Sequence, residues 1–212
     1  MQIGNIAEII ACIISAFYYQ KIKDSFLKWL PFYLLYVSIG EFAAHYYSGM
    51  PNLYIYFSIT IMTIFFYNYC FYQLLHVRKK IGKLIIVLSS LLLIATIFVS
   101  FFLAKYPTST YYILIAMGIE LSLIACIYLY HIFLSDDLQV LLIKQSGFWM
   151  AAGVLLFFSG MCFTFAISPI ALKYDLKIFD TYLLRFIPRV LSVLLYSFLS
   201  IAVVLYKPNP KQ

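Results

Sequence analysis

Residues 84–104 read LIIVLSSLLLIATIFVSFFLA, an apolar run without a single charged side chain. Wound as an α-helix at 1.5 Å per residue, this run is about 32 Å long, which matches the hydrocarbon core of a bilayer. Inside lipid a backbone must satisfy its own hydrogen bonds, and a helix does so within one segment. Six further apolar stretches lie around it, at about 3–20, 26–48, 52–76, 109–134, 146–168 and 183–206. The expected fold is all-α: a polytopic membrane protein in which residues 1–212 form one seven-transmembrane-helix bundle, with no soluble domain.

Composition points the same way. Of the 212 residues 65% are hydrophobic and only 11% charged, against roughly 25% charged in an ordinary soluble domain. A soluble domain of this size could not cover its outside with so few polar groups, whereas a lipid solvent removes that demand. The 20 Tyr and 20 Phe suit interfacial anchoring and packing between helices. Cys12, Cys70, Cys126 and Cys162 all fall within apolar stretches without a Cys-x-x-Cys pair, so they read as small hydrophobes rather than a redox or zinc motif. The first stretch lacks a basic leader and a small-x-small cleavage site, and it carries Asn5 and Glu8. It is therefore expected to stay in the membrane rather than to be cleaved as a signal peptide.

The net charge of +7 carries topology rather than nucleic-acid binding. Lys21, Lys23 and Lys28 occupy the first connection, Arg78, Lys79, Lys80 and Lys83 the third, Lys144 the fifth, and Lys207 and Lys211 the tail. The second connection has no Lys or Arg, and the fourth has only Lys105. Basic connections stay cytoplasmic. The expected orientation is N-terminus outside and C-terminus cytoplasmic, in a cell membrane of the bacterial inner-membrane type. Trp29 and Trp149 fall where an interfacial belt would hold them. The sixth connection, 168–182, mixes Lys173, Asp175, Lys177 and Asp180 with apolar residues. It reads as a short surface helix or as a packed loop.

Ionisable groups within spanning segments are costly and need a partner or a cavity. The chain has Glu8 in the first stretch, Glu41 and His45 in the second, Glu120 in the fifth, and Arg185 and Arg189 in the seventh. In the expected orientation Glu8 lies roughly 8 Å, and Glu41 and Arg189 roughly 10 Å, from the outer ends of their helices. Glu120 is deepest, near the midplane. Arg185 and Arg189 are four apart and share a face with Ser192, Tyr196 and Ser200. Asn5, Glu8, Cys12, Ser15 and Tyr19 form a similar stripe, as do Ser38, Glu41 and His45. These six ionisable residues are the candidate ligand-binding set, lining an outward-facing polar pocket floored near Glu120 that takes a small charged or zwitterionic ligand. The alternative is a buried salt-bridge network that fixes helix order and sees no ligand. Glu41, His45 and Glu120 also have the residue types of a metal site, but a two-residue i, i+4 match is common, and no metal, cofactor or catalytic residue is assigned. Asn68 reads as an interhelical hydrogen-bonding residue, and Gly153 and Gly160, with Ala151 and Ala152, as a smooth packing side.

Several classes are disfavoured. The seventh stretch has no Lys for a retinal Schiff base, and no Asp-Arg-Tyr follows the third stretch, where His76-Val77-Arg78-Lys79 stands instead. There is no internal repeat of the kind small carriers show, and no Gly-x-Ser-x-Gly, His-Glu-x-x-His or Gly-rich phosphate loop.

The stretch Phe148-Trp149-Met150-Ala151-Ala152-Gly153-Val154-Leu155, with Gly160 beyond it, resembles the sixth helix of a family of uncharacterised seven-transmembrane-helix proteins of Bacteroidota. The run from Phe65-Phe66-Tyr67 to Lys79-Lys80 is similar in style. In helix number the chain is similar to the membrane-sensor part of some histidine kinases, although no kinase domain is expected within residues 1–212. The resemblance implies a sensor or receptor-like membrane protein whose basic inner loops dock a cytoplasmic signalling partner. A small transporter, an enzyme acting on a lipid-type substrate through Glu41, His45 and Glu120, and a structural subunit are the remaining readings.

Overall fold

A computed structural model describes residues 3–46, 50–75, 107–134, 142–175, 177–178 and 181–207, together with 84, 87–92, 94–95 and 98. The chain is built of helices: α1 (Ile3–Phe17), a single turn α2 (Tyr19–Ile22), α3 (Leu30–Tyr46), α4 (Met50–Leu74), α5 (Pro107–Leu134), α6 (Ser146–Lys173) and α7 (Leu183–Leu205). The fourth apolar stretch, 84–104, lies mostly outside the described residues, and those described in it are helical. Among the described residues four helical segments are long and apolar enough to cross a membrane: Tyr54–Leu74, Leu114–Leu134, Ser146–Ser168 and Leu183–Leu205. The apolar parts of α1 and α3, Gly4–Phe17 and Leu30–Ala44, are shorter.

The exterior of the bundle suits lipid. Phe17, Phe42, Ile13, Leu123 and Phe163 are all exposed, a surface that water would not tolerate in quantity. In α4, α5 and α6 no face is markedly more polar than another, the pattern of helices with apolar surroundings on every side.

Among the described residues six helices close a ring in the order α1, α3, α4, α5, α6, α7, with α7 returning to pack on α1. The α6–α7 and α5–α6 contacts are the most extensive, and glycines make them possible. A Cβ at Gly153 would stand 2.9 Å from Phe198 Cβ, and one at Gly160 would stand 2.7 Å from Leu191 Cδ1. Gly118 faces Cys162 in the same way across α5 and α6. Without a hydrophobic force between helices in lipid, close backbone approach of this kind holds the neighbours together. The ring's middle is aromatic. Tyr33 stacks on Phe66 with ring centroids 4.3 Å apart, and the fully buried Tyr67 packs edge-on against Tyr33 and Phe158.

The end of the bundle that carries Lys21, Lys28 and Lys144 is tied together by polar contacts to backbone. Lys21 Nζ donates to the Val204 carbonyl at 2.6 Å, where a cation meets the negative end of the α7 dipole. Ser146 donates to the Ala202 carbonyl at 2.6 Å. Ser25 donates to Ile22 O and accepts from Leu27 N, closing the turn between α2 and α3.

The described residues of the connection after α6 hold a short strand pair rather than a separate surface helix. Helix α6 runs on to Lys173, and β1 (Lys177–Ile178) then pairs antiparallel with β2 (Thr181–Tyr182). Asp175 takes a positive φ of 50°, which Asp tolerates better than most side chains. Its carboxylate pairs with Lys177 at 2.8 Å and, by hydrogen bond and charge, raises the Lys177 ammonium above the usual lysine range. Lys177 also lies over the Tyr182 ring.

Candidate functional site

Ring closure sets α1 between α3 and α7, and a cavity of about 530 Å³ opens where the three meet. It is lined by Gly4, Asn5 and Glu8 from α1, Glu41 from α3, and Arg185, Pro188, Arg189, Ser192 and Tyr196 from α7. The i, i+4 spacing that puts Arg185 and Arg189 on one face of α7 aims both into this space, with Ser192 and Tyr196 continuing the face inward. Gly4 of α1 faces Ser192 of α7, where a Cβ would stand in ordinary contact with Ser192 Cβ at 3.4 Å.

The four charged groups differ in setting. Glu8 is 1% exposed, and Ser38 of α3 donates to its Oε1 at 2.7 Å. Glu41 and Arg189 are half-buried and Arg185 is exposed. Arg185 rests against the Tyr182 ring, with Cζ 6.0 Å from the centroid. Among the described residues the only ion pair within 4.0 Å joins Lys177 to Asp175. Neither arginine is paired with Glu8 or Glu41, although all four border one space. Two carboxylates and two guanidiniums thus face a common volume with no salt bridge between them.

Pro188 lies inside α7 and has no N–H to offer the Leu184 carbonyl. One turn further on, the Ser192 hydroxyl donates to the Pro188 carbonyl at 2.8 Å. The first turns of α7 therefore present two arginines and the positive end of the helix dipole to the same cavity.

The other two candidate residues stand apart from this group. His45 belongs to α3 by its backbone, and its side chain lies outside the described residues. Glu120 does not line the cavity. It sits midway along the 28-residue α5, on the α4–α5 side of the ring, where Asn68 Nδ2 approaches its Oε1 at 3.4 Å and Ser89 donates to the same oxygen at 3.1 Å. The expected floor at Glu120 is thus replaced by Glu8 and Tyr196, because ring order puts α5 across the bundle from α1. For the same reason Glu41 and Glu120 do not assemble into a metal set, and among the described residues no three His, Cys, Asp or Glu are placed to hold one.

Gly4 and Pro188 are not among the residues that the sequence assigns to this region. Ser38 was legible as part of the Glu41 stripe, but its contact to Glu8 depends on the pairing of α1 with α3. Set beside known protein families, characterised proteins and solved structures, the chain matches none of them.

Proposed function

We propose that this chain is a seven-helix receptor-like membrane protein that binds a small amphoteric ligand in the cavity between α1, α3 and α7. The observation that carries the reading is that Glu8, Glu41, Arg185 and Arg189 border one cavity of about 530 Å³ without an ion pair among them. Charges of both signs held apart around a space need a ligand or water to complete them, whereas a purely structural network would bring them into contact. The volume lies within the usual range for small-molecule pockets, roughly 300–1,000 Å³.

In this reading an anionic group of the ligand sits on Arg185 and Arg189 at the start of α7, where arginine forks and helix dipole act together. An amine or hydroxyl of the ligand faces Glu41 and Glu8. The distribution of Lys and Arg supports the cavity opening outward, with the N-terminus outside and the tail in the cytoplasm. The apolar run 84–104 supports seven crossings rather than six. Ligand contact on α7 would pass to α6, its most extensive neighbour, and so to the basic inner loops, where a cytoplasmic signalling partner docks.

A screen of amino acids and other small amphoteric metabolites against the melting temperature of the protein in nanodiscs tests this reading. A stabilising ligand whose effect disappears in Arg189→Ala is the expected result. No stabilisation by any of them would remove the support, and ligand-dependent flux into proteoliposomes would replace the receptor by a transporter.

A further inference from the structure

Glu120 and Asn68 make a second polar cluster, and its bonding is incomplete in one particular way. Both side chains are 7% exposed, in the middle of apolar helices. Asn68 spends its amide N–H groups on the Ile64 carbonyl at 2.9 Å and, at longer range, on Glu120 Oε1. Ser89 gives its hydroxyl to that same oxygen. Two acceptors are left with no donor, Glu120 Oε2 and Asn68 Oδ1. Ser122 Oγ is also unpartnered, but two residues further along α5 it points about 200° around the helix from Glu120.

Buried acceptors without donors are costly. Among the described residues no Lys, Arg or His lies within 4.0 Å of Glu120. What these oxygens lack is positive charge, and a carboxylate oxygen and an amide oxygen are ligands that hard cations prefer. We infer that Glu120 and Asn68, with the Ser89 hydroxyl, form an intramembrane binding site for a monovalent metal cation of the sodium type. One ionised carboxylate balances one positive charge. A divalent ion would leave an uncompensated charge in a medium of low dielectric, and calcium sites usually draw six to eight oxygens with several carboxylates. The site lies between α4, α5 and the helical turn that carries Ser89, on the far side of the ring from the α1–α3–α7 cavity, and does not depend on the function assigned to that cavity.

The test uses the full chain in nanodiscs, melted in sodium chloride and in choline chloride at equal ionic strength. Sodium is expected to raise the melting temperature saturably, by about 5–11 °C at a hundred-fold excess over its Kd. Glu120→Gln is expected to abolish the rise, whereas Arg189→Ala keeps it. Direct binding of radioactive sodium to the unmodified protein, near one ion per chain and displaced by lithium but not by choline, gives a reading that needs no variant to fold. No saturable sodium effect and no bound sodium would overturn the inference; the carboxyl would then hold a proton or a water. Loss of the sodium response in Arg189→Ala would also overturn it, because the ion would then belong to the other cavity.

Discussion

Removing both arginines of α7 should leave the fold almost untouched. If Arg185 and Arg189 were halves of buried ion pairs, deleting either would strand a carboxylate and cost about 3–5 kcal/mol. In the structure neither is paired, Arg185 is exposed and Arg189 half-buried. Substitutions in such settings usually stay within about 0.5 kcal/mol. Two like charges four residues apart on a helix also repel, by roughly 0.2–0.5 kcal/mol, which offsets part of any loss. For a chain of this length 1 kcal/mol moves the melting temperature by about 2–4 °C. The double variant Arg185→Ala/Arg189→Ala should therefore melt within about 4 °C of the unmodified protein in ligand-free nanodiscs, against a drop of about 6–20 °C for a structural network. Glu8→Ala provides the contrast. It removes a buried acceptor and leaves Ser38 without its 2.7 Å partner, at a cost of roughly 1–3 kcal/mol. A cycle of Arg189→Ala with Glu41→Ala should show a coupling below about 0.5 kcal/mol. A double-arginine variant that melts more than about 6 °C low, or a coupling above about 1 kcal/mol, would refute the reasoning and make the charges a scaffold.

Two other predictions concern the packing and the orientation. Gly153→Ala should melt below Gly160→Ala, with Gly160→Ala near or above the unmodified protein. Each gains about 1 kcal/mol of helix propensity. At 153, however, the new methyl meets Phe198 Cβ, which is fixed to the α7 backbone, whereas at 160 it meets the movable end of Leu191. Overpacking at 153 costs about 1–3 kcal/mol, and equal melting of the two variants would contradict the contact. A fluorescent protein fused after Gln212 should glow in a bacterial host, and alkaline phosphatase at the same point should be inactive. The reverse pattern would place the basic connections outside and turn the cavity toward the cytoplasm.

Much of the site was legible along single helices. The spacing of Arg185, Arg189, Ser192 and Tyr196 puts them on one face of α7 whatever surrounds it. Likewise the sparse charge on Glu8 and Glu41 marks α1 and α3 as helices with a polar side. The place of Glu120, away from the α1–α3–α7 cavity, shows where such reading ends. Depth along a helix follows from counting residues, and at the level of depth Glu120 looked like a floor for the other charges. Its position around the bundle does not follow from counting.

Composition and hydropathy alone determined that this chain is a bundle of apolar helices suited to a bilayer, and helical periodicity determined which polar residues share a face. These are properties of one segment at a time, set by a rise of 1.5 Å and 3.6 residues per turn. Only the tertiary structure decided which faces meet. With lipid outside and apolar side chains inside, α4, α5 and α6 carry no amphipathic stripe to say which side turns inward. Order around the ring is set instead by close fits such as Gly153 on Phe198 and Gly160 on Leu191. Those fits put α1 between α3 and α7, gather four charges at one cavity, and leave Glu120 with Asn68 on the opposite side.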